Sequence, residues 1–132
     1  MILLIDDDKY DNFFHTRVIQ KEGITERIET AMNGLEAISF LTTPDPSTGD
    51  FPKPDLIFLD INMPEMNGWE FLDAYDRLPE KQKANVVIMM LTTSLNPDDR
   101  TMAESNSTIN GFHTKPLTRE MLAEIMNEHF SN

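Results

Sequence analysis

Three stretches of this chain are apolar at every position: Ile2-Leu3-Leu4-Ile5, Leu56-Ile57-Phe58-Leu59 and Val86 to Leu91. A strand with one wet face alternates apolar and polar residues. A strand that is apolar throughout must be covered on both sides. Each run stops at a polar residue, and a segment of helical spacing follows. After the first run, Tyr10, Phe13, Phe14 and Val18 recur at helical spacing as far as Gly23, a helix stop. Asn67, with Glu70 three residues later, opens a helix carrying Phe71, Leu72, Tyr75 and Leu78. Asn96-Pro97-Asp98-Asp99 combines a cap, a first-turn proline and first-turn acids, although the helix it opens has little apolar face beyond Met102 and Ala103.

Weaker signals fill the gaps. Arg27 to Met32 alternates as a second strand, and Asn33 with Glu36 resembles a capping box for a helix through Leu41. Thr108 to His113 is a fifth strand, and Thr118 begins a last helix bearing Met121, Leu122, Ile125, Met126 and Phe130. Thr43 to Pro54 is a Pro-, Asp-, Ser- and Gly-containing loop, long for an α/β connection. Five strand–helix units without repeats, in 132 residues, predict one α/β domain with a doubly wound five-stranded parallel sheet.

The balance of 23 acids against 11 bases gives a net charge of −12, which argues against direct nucleic-acid binding. There are no cysteines, so disulfides and thiolate metal sites are excluded. No apolar run is long enough to span a bilayer and no signal peptide precedes Leu3. The expectation is a cytoplasmic protein without membrane partners.

In parallel α/β sheets, ligands gather at the carboxyl ends of the strands. Asp6, Asp7 and Asp8 follow the first strand, Asp60 the third, Thr92 and Thr93 the fourth, and Lys115-Pro116 the fifth. Taken singly, each has a plainer role: a strand-end Asp caps a helix, Lys-Pro makes a turn, and a Thr bonds locally. Together they make a chemistry. Converging carboxylates repel unless a hard divalent cation neutralises them, and Mg2+ prefers a few carboxylates plus water. Cation, ammonium and hydroxyl together suit the oxygens of a phosphoryl group. A carboxylate attacking that group forms an acyl phosphate.

The segments "LLIDDD", "LIFLDINMPEMNGWE", "MMLTTS" and "GFHTKPLT" stand in the order of the receiver domain of two-component response regulators, and nearly the whole chain resembles that family. The resemblance implies a flavodoxin-like (βα)5 fold with strand order 2-1-3-4-5. It implies that Asp60 is the phosphoacceptor, served by a histidine kinase or histidine phosphotransfer protein. Asp6 and Asp7 are the acidic pair, Asp7 ligating Mg2+ directly and Asp6 indirectly. Asp60 and the Asn62 backbone carbonyl complete the protein ligands. Thr92 and Lys115 hold phosphoryl oxygens, Pro116 is the family's cis-proline, and Phe112 is the aromatic switch partnered with Thr92.

Departures from the pattern are Thr93, where the family often has Ala or Gly, and the long loop from Thr43 to Pro54. Asn106 to Pro116 lacks the charged signature of receivers that dimerise to drive DNA binding. No effector domain is expected after Asn132, so the resemblance is to a stand-alone receiver spanning residues 1–132. Its output is expected to be an unidentified protein, met by the face made of the helix after Pro97, the fifth strand and the last helix. His15, His113 and His129 share no ligand spacing and are expected to be structural. Most methionines sit at core spacing, with Met63 and Met66 as loop exceptions facing a partner, and Trp69 is expected to pack. An Asp-nucleophile phosphatase is the enzymatic alternative, but it needs an acid two residues after the nucleophile, where this chain has Asn62. The domain is therefore expected to self-phosphorylate and to lose phosphate only slowly. A pseudo-receiver that binds partners without phosphate is the other alternative, and the intact Asp7, Asp60, Thr92 and Lys115 set argues against it.

Overall fold

A computed structural model describes residues 1–25 and 27–130. The elements are β1 (Ile2–Ile5), α1 (Lys9–Glu22), β2 (Ile28–Ala31), α2 (Gly34–Leu41), β3 (Leu56–Leu59), α3 (Gly68–Asp76), α4 (Glu80–Lys83), β4 (Val87–Thr92), α5 (Pro97–Ser105), β5 (Gly111–Thr114) and α6 (Arg119–Phe130). The strands form one parallel sheet of order β2-β1-β3-β4-β5. This is the doubly wound, flavodoxin-like sheet that the sequence led us to expect. The three uninterrupted apolar runs supply its central strands, β1, β3 and β4, whose residues are all buried; β4 starts at Val87 and takes in Thr92, one residue later at each end than the apolar run. The two weaker strand signals are the edges, where one side lacks a neighbouring strand and burial is incomplete.

Strand side chains alternate between two cores. Leu3, Ile5, Ile57, Leu59, Ile88 and Met90 point to one face, where they meet Phe71, Leu72 and Tyr75 of α3 and Ala103 of α5. Ile2, Leu4, Leu56, Phe58, Met89 and Leu91 point to the other, against Ile19 of α1 and Leu122 and Ile125 of α6. No described helix is long and apolar enough to cross a membrane.

Several local expectations are corrected. The aromatic face of α1 points outward: Tyr10, Phe13 and Phe14 are 74%, 66% and 50% exposed. The helix instead buries Asn12, His15 and Ile19, because its first turns lie over polar strand ends and only its later turns over apolar sheet. The loop methionines do not face outward. Met63 is buried in the core, and Met66 packs against that core and touches Gly34. Trp69 also packs there, as expected. At Asn33 the capping box is half made. Its side chain accepts from the Glu36 N–H, but Glu36 accepts from the Met32 N–H instead of returning to Asn33. Asn67 and Glu70 form the full reciprocal box. Leu78 lies beyond the end of α3, and α4 is an additional turn that no pattern announced. β5 starts later than expected, because Asn106 draws Thr108 and Ile109 into a turn. The long loop is folded on Asp45, whose side chain accepts from the Ser47 N–H and hydroxyl and pairs with Arg27.

Candidate functional site

The strand order brings the ends of β1, β3, β4 and β5 side by side. The Asp6 N–H donates to the Ala31 carbonyl and the Asp60 N–H to the Ile5 carbonyl, both at 3.0 Å. Each carboxylate thus sits one step past its strand, with its backbone still held by the neighbouring one. Asp6 and Asp60 are buried and Asp7 is exposed, and one oxygen from each lies within 4.8 Å of the others. The Lys115 Nζ reaches in from the end of β5. It stands 2.6 Å from Asp6 Oδ2, 2.9 Å from Asp11 Oδ2 and 3.0 Å from Asp60 Oδ2.

The electrostatics follow from crowding. Burial pushes the Asp6 carboxyl up to about 6, and the nearby Asp60 adds to the effect, while hydrogen bonds from Lys115 and the Asp8 N–H oppose it. Burial alone would depress the Lys115 ammonium, but its three carboxylate partners hold it above the ordinary lysine range. The lysine therefore stays charged, and the acids compete for it. All the converging donor atoms are oxygens. A buried amide oxygen, Asn12 Oδ1, has no hydrogen-bond partner among the described residues, and Asn12 lines the same small cavity as Asp6 and Asp60. Such a donor set suits a hard cation, and Asp6, Asp7 and Asp60 are the residues that could hold it.

The surroundings fix these groups. Asp60 Oδ1 accepts from the Ile61 N–H at 2.8 Å and Asp6 Oδ1 from the Asp8 N–H at 2.9 Å. Asn12 Nδ2 donates to the Asp6 carbonyl at 2.9 Å. The Lys115 N–H donates to the Thr92 carbonyl at 2.9 Å, and the Lys115–Pro116 bond is cis. His15 Nε2 accepts from the Leu117 N–H at 3.3 Å, so the proton of the neutral ring is on Nδ1. Burial pulls this imidazole below its ordinary value. Gly68 lies under Asp60: a Cβ there would stand 2.4 Å from the Asp60 carbonyl oxygen.

The remaining candidates surround this cluster. Thr92 is fully buried, and its hydroxyl oxygen accepts from the Ser94 N–H at 3.2 Å. Thr93, Asn62 and Pro116 are exposed. Phe112 is half-buried with the Arg100 guanidinium 5.5 Å from its ring centroid. Asp11, Asn12 and Gly68 escaped attention in the sequence, and His15 was expected only to be structural. For Asp11 a signal existed, a fourth acid in the turn after the acidic triplet. For Asn12 and His15 there was none, because the outward aromatics mimicked a buried helix face.

A receiver-domain family profile, that of the response regulator receiver domain, matches residues 2–127. The probable methanogenesis regulatory protein FilR2 of Methanothrix harundinacea is 30% identical over 128 residues, which are 97% of this chain and 79% of that protein. The response regulator Rcp1 of Synechocystis is 34% identical over 102 residues, 75% of this chain and 65% of Rcp1. Among solved structures, a two-component response regulator from Cytophaga hutchinsonii superposes with a TM-score of 0.86 at 33% identity, covering 99% of this chain and 96% of that one. Chemotaxis protein CheY4 of Vibrio cholerae gives 0.76 at 26% identity, covering 98% and 97%. The acids at the ends of β1 and β3, the lysine that bridges them and the sheet order agree with this match along the chain, which belongs to the response-regulator receiver domain family of two-component signalling.

Proposed function

We propose that this receiver domain is a phosphorylation-controlled interaction module in which Asp60 takes a phosphoryl group from a histidine kinase or a histidine phosphotransfer protein. The observation that carries the proposal is the shared ammonium: Lys115 Nζ bonds Asp6 and Asp60 at once, beside a third acid. An Asp60 oxygen attacks phosphorus, the P–N bond of the phosphohistidine breaks, and the imidazole nitrogen leaves with the electron pair and takes up a proton. Lys115 then transfers its bond from the Asp60 oxygen to a phosphoryl oxygen. The Thr92 hydroxyl, which uses an oxygen lone pair for Ser94, keeps its proton to donate to another. Asp6, Asp7, Asp60 and the Asn62 backbone carbonyl would hold Mg2+, which offsets the charge of phosphoryl group and acids. Thr93, exposed beside Thr92, narrows solvent access, and Pro116 sets the turn that aims Lys115. Asn62 carries an amide, which cannot act as a general acid, so hydrolysis is slow and the domain acts as a signal, not a phosphatase.

The exposed Tyr10, Phe13 and Phe14 give the phosphodonor an apolar surface on the same helix as Asp11. The output passes through α5, β5 and α6 to a protein partner, by a change in Phe112 when Thr92 is drawn to the phosphoryl group. With Mg2+ and acetyl phosphate, the intact protein should gain one hydroxylamine-labile phosphoryl group, placed by mass spectrometry on Asp60. Asp60→Asn should remain folded and unlabelled. Label on a Ser, Thr or His would overturn the proposal.

A further inference from the structure

Lys115 has a third carboxylate partner that does not come from a strand end. Asp11, in the first turn of α1, places Oδ2 2.9 Å from Nζ. Its side chain is 35% exposed, against 7% for Lys115 and 8% for Asp60. Asp11 is therefore the most solvent-exposed of the three carboxylates that Lys115 bonds. The cluster sets four carboxylates against a single ammonium, so it remains negative even with a divalent cation bound.

We propose that Asp11 is a specificity-determining residue that selects phosphodonors by charge, holding Lys115 in place while repelling small dianionic donors. The proposal rests on Asp60 being the phosphoacceptor. Repulsion between Asp11 and a donor scales with the donor's charge. A small dianion makes no contacts outside the cluster to offset that repulsion. A phosphoryl group carried on a protein histidine is delivered by contacts made elsewhere on the surface, and the exposed aromatics of α1 lie on the same helix. Asp11 thus favours the protein phosphodonor over free metabolic phosphates without touching the phosphoryl group.

The test uses the full chain at saturating Mg2+, with acetyl phosphate, a dianion near neutral pH, and phosphoramidate, a net monoanion. Phosphorylation rate constants are measured for wild type, Asp11→Asn and Asp11→Glu. Asp11→Asn should raise the acetyl phosphate rate constant several-fold and should raise phosphoramidate by about half as much on a logarithmic scale. High salt should shrink the difference, since the Debye length falls to about 3 Å at 1 M. Asp11→Glu should retain wild-type discrimination. An equal change with both phosphodonors would mean that Asp11 only places Lys115, and no change would mean that it does neither; each overturns the proposal. Failure of the wild type to take label on Asp60 from either phosphodonor would instead remove the reading on which the proposal rests.

Discussion

At the scale of single residues, Gly68 decides where the Asp60 backbone can sit. An alanine Cβ would meet the Asp60 carbonyl oxygen at 2.4 Å and the Ile61 Cα at 3.0 Å, both backbone atoms that cannot swing aside. Gly68→Ala should cost about 1–3 kcal/mol, in the range of overpacked sites, and should slow phosphorylation because Asp60 must move. Thermal melting and acetyl phosphate labelling would check both. Gly111→Ala is the control, since its close contact is the unbranched side chain of Met89 and not backbone. Asp6, Asp60, Thr92 and Lys115 were legible in the sequence because each terminates a strand. The need for Gly68 was not, since the Asn67-Gly68 pair reads as an ordinary turn and only the packed chain shows what lies against it.

At the scale of elements, α1 and α5 make opposite use of weak apolar faces. In α1 the helical period was legible but its phase was not, because the buried face carries Asn12 and His15 to serve the strand ends. An amphipathicity argument assumes that the inside is apolar, and beside a polar site that assumption fails. In α5 the start was legible from Asn96 and Pro97, and the structure buries only Ala103 of its residues. Few buried contacts mean low local stability, the property expected of a switching element. Adding beryllofluoride and Mg2+, an acyl phosphate mimic, should alter amide exchange across residues 92–117, and Thr92→Ala should bind the mimic yet lose the response over α5 and β5. Changes limited to the acid cluster would place the output elsewhere.

At the scale of the molecule, the sheet order gathers charge that the unmodified protein tolerates at a cost. The chain has a net charge of −12, and the two buried acids among the described residues, Asp6 and Asp60, share one lysine. Mg2+ should therefore raise the melting temperature. At one hundred times the dissociation constant, one-site linkage gives about 2.7 kcal/mol. Asp7→Ala should lose that response, and an unchanged Mg2+-dependent shift would contradict its place among the ligands. The fold itself was legible because both-sided burial leaves an unmistakable apolar run in β1, β3 and β4. The edge strands were legible only as weaker signals, with the start of β5 placed too early, and α4 was not legible at all, because half-covered strands and single turns leave patterns that loops also produce.

The contact beneath Asp60 also has an optical consequence. Trp69, the only tryptophan in the chain, directly follows Gly68 and packs against the core. With Gly68 tight against the Asp60 backbone, a displacement of that carbonyl must pass into the first turn of α3 and change the surroundings of the indole. Its fluorescence should therefore report events at Asp60 without any added label. The intensity or wavelength of emission should shift on titration with Mg2+ and again with beryllofluoride, and Asp60→Asn should remove the second shift.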